Sequence, residues 1–253
     1  MVILETEVTD VGSLIATARK ALQGFGRTQY LFRGHAASDW RLVPSVHRHY
    51  DSIGERSLAG RFRLGAPTRH SNCPELTDLA SWISLMQHFG LPTRLLDWTG
   101  SLLTAAYFAV AHEPRSGPAA IWALLPSELN KASRHGKDVA FLLHGPEARP
   151  LLAAAFDGSP CEDEVLAVLP VDLDLRMTVQ LGAFTLHSTD EPLEKRKGAE
   201  NYLAKFVIPE GAKPAVCDEL WVLGARRSVL FPDLANLAQD LASDNRLIRR
   251  KGT

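Results

Sequence analysis

The sequence has few cysteines, no excess of charge of either sign and no long apolar run. Its three cysteines, Cys73, Cys161 and Cys217, are far apart, odd in number and without the spacing of metal ligands. We therefore expect reduced thiols and a cytoplasmic protein. The formal net charge of −1 gives no overall attraction to nucleic acid or to an acidic membrane. The longest apolar run is about half the length of a membrane span, so we expect no membrane insertion.

The motifs of several enzyme classes are also missing. The sequence has no Gly-rich phosphate loop, no Gly-x-Ser-x-Gly elbow and no His-Glu-x-x-His zinc motif. His35, His47 and His49 are close in sequence, but no carboxylate partners them at metal-site spacing, so we expect no bound metal. The N-terminus lacks a basic region followed by an apolar run, so we expect no signal peptide.

The hydrophobic periodicity indicates an α+β protein. Helices are expected at residues 11–24, at 75–90 and from about Ser101, and strands at 29–34, 119–125, 165–169, 183–187 and 202–208. Because these elements do not alternate regularly, we expect a mixed sheet with flanking helices rather than a doubly wound sheet. Residues 131–163 are expected to form an irregular insertion. The sequence shows no linker, which favours a single domain over residues 1–253.

The segment 85–110 carries the densest pattern in the chain. A helix is expected to end at Gly90, and Pro92 prevents its immediate return. Residues 93–98 then crowd four polar or aromatic side chains into what we predict to be a short turn. The helix that follows is apolar on every side, which is typical of a core helix. A polar turn beside a buried helix is a common place for functional residues.

Four features in the first hundred residues are candidates for function, each with a plainer alternative. Arg33 ends a buried strand, where it binds either an anion or a structural carboxylate. The six arginines between residues 41 and 69 form either a solvated helix face or a surface for a phosphate-bearing ligand. His88 lies in the last turn of a helix and is either a cap or a proton carrier. Asp97 is a catalytic carboxylate, an ion-pair partner of Arg94 or Arg33, or a helix N-cap.

Several segments together resemble the FRG domain proteins, named for Phe-Arg-Gly. The resemblance covers residues ~29 to ~240 and is strongest in the central block at 87–99, QHFGLPTRLLDWT. The other matching segments are 32–34 (FRG), 40–48 (WRLVPSVHR), 105–109 (AAYFA), Arg176 with Gln180, Gly182 and Phe184, and 230–234 (LFPDL). Residues 131–163 and 188–200 have no counterpart.

The resemblance implies a bacterial or phage-associated protein with an ADP-ribosyltransferase-like architecture. Such enzymes cleave NAD⁺ at the nicotinamide–ribose bond, and an Arg or His on an early strand holds the dinucleotide. Arg33 suits that role. A later strand usually carries a Glu, for which this sequence has no clear match: Gln180 lies there without the charge, and Asp97 and Glu191 are other carboxylates. The implied catalytic residues are Arg33, His88, Asp97 and Gln180, and the implied NAD⁺-binding residues are Arg33, Gly34, Thr93, Arg94 and Trp98.

Two classes of function follow. The first is an NAD⁺-using enzyme, either an ADP-ribosyltransferase that modifies a protein or nucleic acid or an NAD⁺ glycohydrolase, as suits a toxin or phage-defence effector. The alternative is a non-catalytic module that binds a nucleotide or nucleic acid. Breaking the bond passes through an oxocarbenium-like state that negative charge stabilises. The enzyme therefore requires an acid in the same cavity as Arg33, whereas the binding module does not.

Overall fold

The computed structural model describes residues 3–23, 30–111, 116–133, 141–170 and 175–243. One eight-stranded sheet runs through these ranges, with helices packed on it. The strands are β1 (Leu4–Glu7), β2 (Leu31–His35), β3 (Leu95–Thr99), β4 (Ala119–Leu124), β5 (Phe141–Leu142), β6 (Val165–Leu169), β7 (Gly182–His187) and β8 (Leu203–Ile208).

The sheet is mixed. Its strand order is β1-β8-β4-β2-β3-β7-β6-β5. The two outermost pairs, β1 with β8 and β5 with β6, are parallel, and the other neighbours are antiparallel. This arrangement confirms the predicted mixed sheet with flanking helices. That residues 1–253 form one domain stays a prediction.

Short helices connect the strands. The α-helices are α1 (Val11–Leu22), α2 (Ser45–His49), α3 (Ser52–Gly65), α4 (Leu79–His88), α5 (Leu102–Val110), α6 (Pro126–Ala132), α7 (Arg149–Phe156), α8 (Leu175–Val179), α9 (Lys213–Val222), α10 (Arg227–Leu230) and α11 (Leu234–Ser243). In the described ranges, none of these helices has the length and apolar character that crossing a bilayer requires.

The side chains of each strand alternate between two buried faces of the sheet. On the near face, α1, α5 and α9 cover β2, β4 and β8, while α4 and α7 cover β3, β6 and β7. On the far face, α6 and three residues outside the α-helices, Leu42, Leu193 and Tyr202, pack on a second layer that includes Trp98 and Trp122. The near face therefore carries two groups of helices, and the space between them opens above β3 and β7.

The helices expected from residue 11 and from about Ser101 form, whereas the helix expected at 75–90 is shorter and spans Leu79–His88. Helix α1 begins after Asp10, whose side chain accepts a hydrogen bond from the Ser13 amide. Helix α5 begins after Ser101, whose hydroxyl caps the Thr104 amide, and is buried over most of its surface. The end that we expected for α1, at residue 24, lies outside the described residues.

Two predictions about secondary structure are wrong. Residues 95–98 of the expected turn belong to β3, an inner strand of the sheet. The side chains alternate there, since Leu96 and Trp98 face one side and Leu95 and Asp97 the other, but the apolar Leu95 next to Leu96 interrupts the apolar–polar alternation that marks a strand. The expected insertion 131–163 contains β5 and α7, and α7 packs against α3 and α4. Residues 134–140 of that insertion lie outside the described residues.

Helix α5 lies unusually close to β2. A Cβ atom added at Gly34 would be 2.0 Å from the Ala105 carbonyl oxygen and 2.7 Å from the Ala109 amide nitrogen. Both are backbone atoms of α5, so a rotamer change would not relieve the contact. The absence of a side chain at Gly34 therefore sets the distance between the core helix and the middle of the sheet.

We expect Gly34→Ala to lower the free energy of unfolding by about 3 kcal/mol, because β2 and α5 must move apart. Gly60→Ala is the matched control: Gly60 lies within α3, and nothing lies within 4 Å of an added Cβ there. Since alanine favours helix, that variant should be stabilised by about 0.5–1 kcal/mol. Urea unfolding of both variants measures the difference, and equal stabilities would contradict the proposed close packing.

Candidate functional site

The sheet parts between β2 and β3, next to Asp97. Within the described chain, these strands pair at one position, Phe32 with Thr99, whereas β2 pairs with β4 along its whole length. Two residues before Thr99, the Asp97 carbonyl oxygen accepts a hydrogen bond of 2.6 Å from Arg33 Nη1. A guanidinium therefore takes the place of a main-chain donor where the two strands separate.

Arg33 is held by a neutral histidine. Its Nε–H donates to His35 Nε2 over 3.0 Å, so that nitrogen carries no proton and the imidazole proton lies on Nδ1. Burial and, next, the Arg33 charge lower the pKa of His35 well below its ordinary value. Burial also lowers the pKa of Arg33, while Asp97 raises it. Because the guanidinium is the most basic of the side-chain groups, Arg33 stays charged.

The Asp97 carboxylate faces solvent in a fixed position. Its side chain is 56% exposed, and Oδ2 accepts a 2.8 Å hydrogen bond from Gln87 Nε2 and lies 3.9 Å from Arg33 Nη1. The Gln87 amide is oriented in turn by the buried Thr93, whose hydroxyl donates to Gln87 Oε1. The hydrogen bonds among described residues leave Oδ1 of Asp97 for a ligand.

Asp97 lies in a cleft of about 790 Å³ on the near face of the sheet. The floor is the cross-strand pair of Asp97 on β3 and Phe184 on β7. Helix α4 forms one wall, and α8 with the residue after it forms another. The remaining lining residues are His70, Asn72, Pro74, Ser81, Ser84, Leu85, Gln87, His88, Phe89, His144, Pro170, Arg176, Met177 and Gln180. This volume is within the range of small-molecule and cofactor sites.

The structure brings together three of the four predicted catalytic residues. His88, Asp97 and Gln180 line the cleft, and Arg33 contacts Asp97 from the strand beside it. The amide nitrogen of Gln180 is already engaged, since Nε2 donates a hydrogen bond to the Leu230 carbonyl. The other carboxylate that we considered, Glu191, lies in a second depression with Arg196, 3.3 Å away.

Four of the predicted binding residues do not reach the cleft. Gly34 lies against α5, and Thr93 is buried behind Gln87. Trp98 is on the far face, where its indole N–H donates to Thr185 Oγ1 over 3.0 Å. Stacking of Trp98 on a ligand in the cleft is therefore excluded by the strand geometry, because consecutive residues of β3 point to opposite faces.

Arg94 is the fourth predicted binding residue that does not reach the cleft, and its role is structural. Its Nε and Nη2 donate to the two carboxylate oxygens of Glu55, over 2.8 and 2.5 Å, and Nη1 donates to the Leu151 carbonyl. Both side chains of the pair are less than a tenth exposed. Of the two arginines considered as ion-pair partners of Asp97, Arg94 is thus bonded to Glu55 instead, and no charge of this pair remains for a phosphate.

Arg176, His144 and Ser81 line the cleft although we did not predict a role there for any of them. The Arg176 guanidinium lies 4.6 Å from the Phe231 ring centroid. His144 Nε2 is 3.0 Å from Ser81 Oγ and 3.4 Å from Asp78 Oδ1, at the start of α4. His144 lies within the range that we took to be an irregular insertion, so the sequence pattern gave no signal for it.

Because the Arg94–Glu55 pair is buried, Arg94→Met should lower the free energy of unfolding by about 3–5 kcal/mol by leaving Glu55 charged and unpaired. Arg94→Met combined with Glu55→Leu should recover part of that loss. Arg61→Met on the exposed face of α3 is the control and should change stability by less than about 0.5 kcal/mol. A double variant no more stable than Arg94→Met alone would contradict the pairing.

We expect the protein to lose stability as the pH falls from 7.5 to 5.5. Burial lowers the pKa of His35 and of His187 well below the ordinary value. As the pH falls, these two imidazoles therefore bind protons in the unfolded chain before they do so in the folded chain. Each histidine should cost about 1.4 kcal/mol per pH unit below about 6.5. Urea midpoints at three pH values measure the slope, which His187→Asn should reduce and His49→Asn, at an exposed position, should not.

Comparison with known families agrees with the resemblance in the sequence. Residues 28–117 match the family model of the FRG domain, a range that includes Arg33, His88 and Asp97 but neither Arg176 nor Gln180. No curated protein and no solved structure matches the chain. The match covers the chain from β2 through α5, so the parted strands and the carboxylate of the cleft lie in the region that is similar to an FRG domain.

Proposed function

We propose that the cleft binds NAD⁺ and that the protein breaks the bond between nicotinamide and ribose. The observation that carries the proposal is the exposed Asp97 carboxylate, which Gln87 fixes on the floor of a cleft of cofactor size beside a charged guanidinium. The enzyme hypothesis requires an acid in the same cavity as Arg33; Asp97 lines the cleft, whereas Arg33 reaches Asp97 from the neighbouring strand, with Nη1 3.9 Å from the carboxylate. On this proposal the mixed sheet is an ADP-ribosyltransferase-like architecture in which Asp97 replaces the usual glutamate.

Asp97 would stabilise the transition state electrostatically. As nicotinamide leaves, positive charge develops on the ribose, and a carboxylate fixed before the reaction stabilises that charge without reorganising. Gln87 holds one carboxylate oxygen, which leaves the other to face the ribose. His88, on the wall of the cleft, is placed to take the proton of an attacking hydroxyl or water.

The two arginines near Asp97 would have different roles. Arg33 is a positioning residue, because it donates a hydrogen bond to the main-chain carbonyl of Asp97 and its own side chain leaves β2 on the far face. Arg176 lines the cleft itself, so its guanidinium is the cation placed to bind the pyrophosphate. This assignment gives Arg176 the phosphate-binding role that the sequence suggested for Arg94.

A non-catalytic nucleotide-binding module is the second candidate. It is favoured by the chemistry of the lining, since Asp97 is the single carboxylate among the described residues of the cleft and Gln180 is bonded to the Leu230 carbonyl. A site of this kind binds a nucleotide with Arg176 and needs no charge at Asp97. The two candidates therefore differ in what removal of the Asp97 charge does.

We expect the purified protein to release nicotinamide from NAD⁺, and Asp97→Asn to reduce the rate by at least about 100-fold. Asparagine keeps the shape and the acceptor for Gln87, so the folded structure should be retained. Asp218→Asn, at an exposed position on α9, is the matched control and should retain the full rate. Nicotinamide is quantified chromatographically, and NAD⁺ binding is measured in parallel by calorimetry.

The combined results separate the candidates. Release that Asp97→Asn abolishes supports the enzyme, and binding of NAD⁺ without release supports the module. Release that Asp97→Asn leaves unchanged would overturn the role of Asp97. A rate that rises when cell lysate is added indicates transfer to a protein or nucleic-acid acceptor, and a rate independent of lysate indicates hydrolysis. Either activity depletes NAD⁺, which would suit a toxin or phage-defence effector.

A further inference from the structure

Helix α11 is attached to the rest of the protein through its polar side. Arg227 Nε on α10 donates to Asn236 Oδ1 over 2.6 Å, and the Ser228 amide, also on α10, donates to Asp240 Oδ2 over 2.7 Å. Asn236 and Asp240 are four residues apart, so they project from the same side of α11. Between residues 234 and 242 these two are half-buried and the others are exposed. The inward side of α11 is therefore its polar side.

The apolar side of α11 faces solvent. Leu234, Leu237 and Leu241 recur at the spacing of one helix face and are 82%, 43% and 55% exposed. A surface helix of a globular protein ordinarily turns such a face to the core, so the orientation of α11 is reversed. None of the three leucines belongs to a hydrophobic cluster of the described residues. A row of leucines left in water is typical of a surface that another molecule covers.

The exposed side of α11 is also uncharged. Besides the leucines it carries Ala235, Ala238, Gln239 and Ala242, and the charged side chain of this stretch, Asp240, lies on the inward side. Helices that lie on membranes present Lys or Arg beside the apolar face, and surfaces for nucleic acid are basic. An uncharged leucine row has the chemistry of neither, and the surface that it complements is another apolar, uncharged one.

Exposed leucines elsewhere in the described chain lie next to charged side chains. Leu64 on α3 is 83% exposed and follows Arg63. Leu4 on β1 is 53% exposed and precedes Glu5, whose Oε2 lies 3.2 Å from Lys205 Nζ. Single apolar side chains in charged surroundings are ordinary on protein surfaces and need no partner. The three leucines of α11 differ from them because they lie together and without charge.

We propose that α11 is a dimerisation helix whose leucine face packs against the same face of a second copy of this chain. A two-fold axis brings one patch against itself, and two uncharged leucine rows are complementary under that symmetry. In an antiparallel pair, Leu234 of one copy meets Leu241 of the other, and Leu237 lies near the axis. This orientation also places the positive end of each helix dipole beside the negative end of the other.

The area of the patch predicts a weak, reversible dimer. A stable dimer buries about 800 Å² on each partner. Helix α11 is about 15 Å long and offers less than that alone. Exposed apolar residues of the two preceding helices, Val222 and Val229, extend the apolar surface at this end of the chain. We therefore expect a dissociation constant in the micromolar range. The dimer does not use the charge of Asp97, so it goes beyond the activity proposed for the cleft.

Sedimentation velocity of the full chain over a range of concentrations tests the proposal. The dimer fraction should rise with concentration, and Leu234→Lys should weaken dimerisation by at least about tenfold, because it places charge in an apolar contact. Leu64→Lys is the matched control, since Leu64 is exposed to the same extent, and it should leave the dimer unchanged. Asp97→Asn should also leave it unchanged, so the result does not depend on activity in the cleft.

A charge exchange at Leu237 identifies the partner as a second copy. Leu237→Lys and Leu237→Glu should each be folded by circular dichroism and monomeric, because like charges meet near the axis, and an equimolar mixture should dimerise again. The proposal is overturned if the unchanged chain stays monomeric at every concentration, if Leu64→Lys weakens the dimer as much as Leu234→Lys, or if the mixture does not dimerise. Binding of the monomer to phosphatidylglycerol vesicles, lost in Leu237→Glu, would assign the face to a membrane instead.

Discussion

Three segments that are distant in the sequence meet at the buried guanidinium of Arg94. Glu55 comes from α3, the Leu151 carbonyl from α7, and Arg94 itself immediately precedes β3. A charge at this depth is tolerated only when its hydrogen bonds are satisfied, and here a bidentate carboxylate and a carbonyl satisfy three of them. The contact therefore fixes the point at which β3 enters the sheet. Shifting the strand by one residue would exchange the faces of Asp97 and Trp98, placing an indole in the cleft and a carboxylate in the core.

The parting of β2 from β3 gives the site its chemistry. A fully paired strand would cover the Asp97 carbonyl with a backbone amide and leave no room for a charged group. Here Arg33 satisfies that carbonyl, and the neutral His35 accepts from the other side of the guanidinium. Gly34, between them, lets α5 close over the opened strand. The three consecutive residues 33–35 thus have three roles: a charge, a close packing contact and a neutral acceptor.

The sequence predicts the elements better than it predicts which side chains meet. The helices with a long periodic pattern and the order of elements around them follow from hydrophobic spacing. Contact between Arg33 and Asp97 was one of several pairings left open, and the structure selects it. The partner of Arg94 was not predictable, because Glu55 is 39 residues away and no local pattern links them. Trp98 was assigned to the ligand because its segment was expected to be a turn. Once the segment is known to be the strand β3, the side chain of Trp98 must face away from that of Asp97, on the far face of the sheet.

The outer strands of the sheet bear on how this protein behaves at high concentration. A sheet with unpaired edges can add strands from other molecules, and proteins limit this with short or charged edge strands. Among the described residues, β5 is two residues long, and β1 is four residues long and carries Glu5 and Glu7. Copies of the chain that approach through β1 bring rows of like charge together. The carboxylate that neutralises Lys205 within one molecule therefore also opposes edge-to-edge aggregation between molecules.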